Sequence, residues 1–228
     1  MKAVILAAGI GSRLSRPFPK SLSVLPYGET ILGRQVRILK DLGVKEIIIV
    51  VGFKMTLIME NFPEVYYRYN PNYYITNTSK SLLCAIEDLD DDVLWMNGDV
   101  VFDKAIIREI LEIKDENFVC VDCKSCGEEE VKYTRDADGY INEISKLVKN
   151  AEGEAVGINM IRKKDLKTYA DALRKCEEQD YFEKGIEIII HDGIKIKPVD
   201  ISDHKCIEVD FEEDWISAQE NFQTRDNK

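Results

Sequence analysis

Short apolar runs alternate along this chain with stretches whose apolar positions recur every three or four residues. The segment VILAAGIGSRLSRPFPK, from Val4 to Lys20, begins as a run rich in Val, Ile and Leu and opens into glycines, the pattern of a buried parallel strand feeding a loop. Ile31, Leu32, Val36, Leu39 and Leu42 then fall at helical spacing, Gly43 stops the helix, and EIIIVV over 46–51 is the next buried strand. A helix over 55–61, a strand at VYYRY, a helix over 79–89 and a strand at VLWMN follow. This succession predicts an α/β fold with an open, mixed but mostly parallel sheet covered by helices on both faces.

After residue 117 the rhythm changes. Strands over 131–135 and 140–145 are joined by Asp136-Ala137-Asp138-Gly139, whose Asp-Gly pair is a hairpin turn signal. A strand over 155–161, helices over 163–176 and 181–191, a strand over 194–199 and a last helix after Asp210 complete the reading. No linker, repeat or low-complexity tract divides the chain, so 1–222 reads as a single domain and 223–228 as a polar tail.

Composition narrows the class. At 228 residues and 45% hydrophobic content the chain can bury a sizeable core. A formal charge of −11 argues against a nucleic-acid surface, which needs basic patches. The apolar start MKAVILAAGI is too soon interrupted by GSRLSRP to read as a signal peptide, and no run approaches a membrane span, so the expected location is cytoplasmic.

The candidate chemistry begins at the first loop. Gly9 and Gly11 free the backbone to present bare N–H groups to an anion, and Arg13, Arg16 and Lys20 gather positive charge beside them. A Walker A loop fails for want of a correctly spaced Lys, and a dinucleotide fingerprint fails at Leu14. Asp99 ends an apolar strand, where open α/β sheets bind ligands, and Asp210 is a second acid at a strand end, which taken alone could simply cap the following helix. Two carboxylates and phosphate oxygens suit Mg²⁺. Asp90-Asp91-Asp92 precedes its strand and reads as a solvated turn. Cys120, Cys123 and Cys126 form a CxxCxxC series without a fourth ligand at motif spacing; a strand running into a turn, with free thiols, is the plainer reading. Tyr66, Tyr67, Tyr69, Tyr73 and Tyr74 read as a strand with aromatic pairing, against the alternative of a cation–π cage.

LAAGxGxRL followed by Pro19-Lys20 resembles the signature of the NTP transferase family, nucleotidyltransferases that join a nucleoside triphosphate to a phosphorylated small molecule, although the gap from Arg13 to Pro19 is shorter than in its sugar-1-phosphate members. Asn70-Pro71, Tyr73, Thr76-Asn77 and Ser81-Leu82 resemble the NPxYxxTNxxxSL stretch of the phosphocholine and inositol-phosphate cytidylyltransferase branch. So do Glu130 with Lys132, Ile144-Ser145-Lys146, Gly153-Glu154 with Gly157, and the closing IEVDFEEDW. The resemblance implies a glycosyltransferase-A-like (Rossmann-like) nucleotidyltransferase fold, with a nucleotide-binding half over 1–117 and an acceptor-binding half over 118–222. It implies that Asp99 and Asp210 hold Mg²⁺, that Arg13 and Lys20 hold triphosphate oxygens and that Lys146 holds the reacting phosphates. Leu6, Ala7, Ala8, Gly9, Gly11, Gly52, Asn77 and Ser81 would border the nucleotide, and Lys132, Glu154 and Gly157 the acceptor.

The expected activity is Mg²⁺-dependent transfer of CMP from CTP to a phosphorylated alcohol, polyol or phosphonate, with release of pyrophosphate. Two alternatives stand beside it: a sugar-1-phosphate nucleotidyltransferase using UTP or dTTP, and a catalytically silent nucleotide-binding regulator. Some relatives fuse this domain to a membrane alcohol phosphotransferase; no such segment is read here, so the product is expected to pass to a separate enzyme.

Overall fold

The computed structural model describes residues 1–14 and 16–225. Residues 226–228, part of the expected polar tail, lie outside the described residues. The first part of the chain alternates β1 (Lys2–Ala7), α1 (Ile31–Asp41), β2 (Glu46–Val51), α2 (Met55–Asn61), β3 (Tyr66–Tyr69), α3 (Thr78–Ile86) and β4 (Val93–Asn97). A short strand β5 (Val100–Phe102) and helix α4 (Lys104–Ile110) follow, and the periodicity had not separated these two from their surroundings. The rest comprises β6 (Asn117–Asp122), β7 (Lys132–Arg135), β8 (Ile141–Ser145), β9 (Gly153–Ile161), α5 (Lys163–Lys175), α6 (Phe182–His191), β10 (Ile196–Asp200), β11 (Cys206–Glu208) and α7 (Glu212–Asn221).

One sheet runs in the order β10-β6-β9-β4-β1-β2-β3. Four of its neighbouring pairs are parallel, and β9 alone on this path runs against both its neighbours, β4 and β6. Both faces are covered, which is why the strands read as unbroken apolar runs. Ala3, Ile5 and Ala7 of β1 face a core built with α1, α2 and α4, while Val4 and Leu6 face one built with α3, α5 and α6. In the second core the Trp95 ring stacks on Tyr169 at 5.3 Å and meets the edge of Phe182 at 5.7 Å. A smaller cluster of Leu14, Leu25, Ile31, Val101, Val209, Trp215, Ala218 and Phe222 ties α7 to the first loop.

The acidic triplet lies at the amino edge of β4. Asp92 pairs with Arg162 at 3.0 Å and Asp90 with Lys163 at 2.7 Å. All six cysteines are free thiols, with Cys120 buried in the first core and Cys123 exposed.

Candidate active site

Three segments meet at the carboxyl edge of β1 and β4. Gly98 follows β4, and a Cβ there would stand 2.7 Å from the Leu6 carbonyl oxygen, so glycine lets the chain turn tightly against β1. The turn delivers Asp99 to the edge. Asp210 arrives by a different route: β11 pairs antiparallel with β5, and the Val209 N–H donates to the Asp99 carbonyl at 3.1 Å. The Asp214 carboxylate accepts the backbone N–H groups of Asp210 and Phe211, at 3.0 and 2.7 Å, and fixes the entry to α7. Two acids more than a hundred residues apart in the chain are thereby side by side.

Between them lies Lys20. Its ammonium is 2.6 Å from Asp99 and 2.7 Å from Asp210. Burial opposes the charge, but the two acids outweigh burial and hold the group above the ordinary lysine range. Gly11, at φ +65°, turns the loop beside it, and a Cβ there would lie 3.1 Å from the Lys20 Cβ. Arg13 donates to the second Asp210 oxygen at 3.1 Å and lies over the Phe211 ring at 5.2 Å. Arg16 instead turns to Glu212 and the Trp215 ring. Asp99 Oδ1 is buried without a hydrogen-bond partner among the described residues.

These groups open into a cavity of about 600 Å³. Of the residues expected from sequence, Leu6, Gly9, Gly11, Arg13, Lys20, Asn77, Asp99, Lys146, Glu154, Gly157 and Asp210 line it. Asn77 is carried there by a loop organised around buried Asn70, whose side-chain amide donates to Thr76 and Ser81, both at 3.0 Å. Gly157, at φ +71°, leaves room for Asn97; a Cβ there would be 2.7 Å from the Asn97 amide nitrogen. Lys146 lies 4.9 Å above the Tyr181 ring and 3.3 Å from Glu129.

Five expected residues are not among those that line the cavity. Ala7 and Ala8 are buried, and the Ala8 carbonyl accepts from Phe53 at 3.0 Å. Gly52 packs where a Cβ would lie 2.6 Å from both the Ala8 oxygen and the Tyr73 Cβ. Ser81 is taken up by Asn70, and Lys132 is paired in register with Glu154 and Ser145 on the sheet extension. The tyrosine series also stays outside: Tyr66 and Tyr69 are exposed on β3, and the cavity's aromatic residues are Tyr181, Phe182 and Phe211.

The sequence had assigned no role to Asn97, Lys124, Glu129, Glu183 or Glu208, all of which line the cavity. Asn97 donates to Glu208 at 3.1 Å. Enclosure by the cavity wall, then the charges of Asp99 and Asp210, push the Glu208 carboxyl upward, with Lys20 opposing, although its surface stays open to the cavity.

A mostly parallel open sheet with paired acids, a lysine and a glycine turn at its carboxyl edge is the frame of a nucleotidyltransferase domain. The chain belongs to the family of MobA-like NTP transferase domains, which matches residues 3–165. It is 28% identical to the CMP-5'-(3-aminopropyl)phosphonate synthase of Streptomyces rubellomurinus, over 97% of this chain and 39% of that protein. It is 36% identical to a UTP–glucose-1-phosphate uridylyltransferase of Haloferax volcanii, over 45% of this chain and 44% of that protein. The chain thus spans about two fifths of the Streptomyces protein, and its match to the Haloferax protein covers less than half of either. Its fold matches the CTP:phosphocholine cytidylyltransferase of Streptococcus pneumoniae with a TM-score of 0.81 at 20% identity, covering 96% of this chain and 98% of that one.

Proposed function

We propose that this chain transfers CMP from CTP to a phosphate or phosphonate oxygen of a small molecule and releases pyrophosphate, with Mg²⁺ held by Asp99 and Asp210. The observation that carries the reading is the meeting of two strand-end acids, a partly buried lysine and a glycine turn at one point on the sheet edge. The donor set suits the ion. Two carboxylates converge on one cationic group, one of their oxygens is buried and unpartnered among the described residues, and Mg²⁺ takes few carboxylates, leaving the rest of its shell to substrate oxygens and water. When bound, Mg²⁺ would neutralise charge on the triphosphate and polarise the phosphoryl group under attack.

The chain's own residues supply binding and orientation. Lys20 and Arg13 are held by carboxylates in the free protein, and a triphosphate offers them oxygens instead, so the nucleotide enters by an exchange of partners. The amides of the turn at Gly9 to Gly11 add donors without adding charge. Lys146 holds the acceptor's anionic end for in-line attack. Attacker and leaving group are both anionic, so positioning and electrostatic stabilisation supply the catalysis, and no covalent nucleophile is assigned. The six free thiols suit the reducing cytoplasm in which we place the reaction.

CTP is favoured by the likeness of the 70–82 segment to cytidylyltransferases and by the similarity to the Streptomyces synthase. A sugar-1-phosphate acceptor with UTP or dTTP is the second reading, favoured by the similarity to the Haloferax protein. Pyrophosphate release with four triphosphates and a panel of phosphorylated alcohols, phosphonates and sugar phosphates separates the two. CTP with Mg²⁺ should lead; a purine preference would overturn the base assignment. Asp99→Asn or Asp210→Asn should lower turnover by at least about 10²-fold at saturating Mg²⁺ while the fold survives, and near-normal turnover in either variant would remove the shared site.

A further inference from the structure

One carboxylate in the cavity touches the cations assigned to both substrates. Glu129 Oε2 lies 3.6 Å from the Arg13 guanidinium and 3.3 Å from the Lys146 ammonium, and all three side chains line the same cavity. Arg13 comes from the first loop and Lys146 follows β8, so Glu129 spans the parts of the chain assigned to nucleotide and acceptor. The segment that carries it, between β6 and β7, is tied at its ends. The Cys123 N–H donates to Ser202 Oγ at 2.8 Å, Lys124 pairs with Glu154 at 2.8 Å, and the Val131 carbonyl accepts from the Ala155 N–H at 2.8 Å. Between those anchors, residues 125–130 make no backbone hydrogen bond among the described residues. The Glu129 side chain is 65% exposed, so its carboxylate can leave the two cations for water without unmaking the fold.

We infer that Glu129 couples the two substrates: in the free protein it bridges the nucleotide's cation to the acceptor's, and whichever ligand displaces it eases the entry of the other. This role rests on the reading that places phosphates at Arg13 and Lys146. A triphosphate at Arg13 takes over the guanidinium's hydrogen bonds and repels the carboxylate. Because the same Glu129 oxygen touches Lys146, that ammonium is freed in the same step. Displacing Glu129 is done once, by the first ligand, so the second binds more tightly than it would alone, and by linkage the factor is the same in either order. Exposed ion pairs are individually weak, which sets the factor at about three- to tenfold.

Calorimetry with Mg²⁺ tests this, using α,β-methylene-CTP, which cannot transfer its nucleotidyl group, and hydroxyethyl phosphate as the acceptor probe. The probe's Kd is measured without and with saturating analogue for the wild-type protein, Glu129→Gln and Glu129→Asp, and the ratio of the two values is the coupling factor. The charges of the ligands and the ion act alike in every protein compared, so differences in the factor isolate residue 129. Glu129→Gln should bind each ligand alone more tightly and show a factor lower than wild type by about threefold or more. Glu129→Asp keeps the charge on a shorter arm that cannot span both cations, so it should lose the coupling as well. Equal factors in the wild-type protein and Glu129→Gln would overturn the inference. Weaker binding of both ligands by Glu129→Gln would do so too, because Glu129 would then brace the cations rather than compete for them. Equal factors alongside pyrophosphate release from CTP would leave the transfer reading standing, whereas a lowered factor with no such release for any acceptor would remove transfer and keep the coupling.

Discussion

Glu183 is an acid buried to 7% exposure, a setting its type seldom occupies. Burial, opposed by its own backbone N–H and by Lys146, pushes its carboxyl up to about 7, from 4.5 in the absence of the fold. Between those values the folded state holds more protons than the unfolded one. Stability from this group is therefore greatest below about pH 4.5, declines as pH rises, and is lost once pH passes about 7. Glu183→Gln keeps the shape and removes the titration, so the variant should be the more stable protein above pH 7, by up to about 3 kcal/mol, and should differ little below 4.5. Urea unfolding at one pH on each side of that window checks it; a stability difference that does not change with pH would refute the buried proton. Asp99 and Asp210 were legible in the sequence because a strand end followed by an acid places a carboxylate at a sheet edge, whatever packs behind it. Glu183 was not, because an acid in the first turn of an amphipathic helix already has a sufficient local reason. Its burial depends on the cavity wall, which distant parts of the chain bring to it.

At the scale of elements, β1, β2, β4 and the long helices could be read directly, since burial on two faces or one leaves runs or stripes in the sequence. β5 could not: three apolar residues continue from the β4 turn, and pairing with β11 a hundred residues later is what makes them a strand. That pairing also brings Asp210 to Asp99, so the convergence of the two acids was implied by family likeness but not by pattern. Gly52 shows a similar gap between motif and role. Expected at the nucleotide, it does not line the cavity, and it permits the end of β2 to lie against the Ala8 carbonyl and Tyr73. Gly52→Ala forces either the first loop or the 70–77 loop to move, so it should lower stability by about 1–3 kcal/mol and raise the KM for the nucleotide. Thermal unfolding and triphosphate kinetics on the same preparation separate the effects; an unchanged stability would mean that the contact is slack.

For the molecule as a whole, the notable strand is β9. It lies between β4, from the first half of the chain, and β6, from the second, so the sheet is continuous across both halves. Unfolding should then be a single transition, with the fluorescence of Trp95 and Trp215, in separate clusters, following the same denaturant curve as the backbone circular dichroism. Two resolved transitions would show that the halves fold independently. Hydrophobic pattern revealed that 155–161 is a strand but could not reveal its direction, because alternation is the same read either way. Direction has a further effect. Running backwards, β9 offers its first residues, Glu154 to Gly157, to the edge where its neighbours offer their last. The hairpin of β7 and β8 hydrogen-bonds to the sheet through β9, at the flank of this same edge, and apart from the strands that carry Asp99 and the glycine turn. A lineage could therefore lengthen, shorten or recharge that hairpin and inherit a new acceptor while its phosphate chemistry stayed as it was.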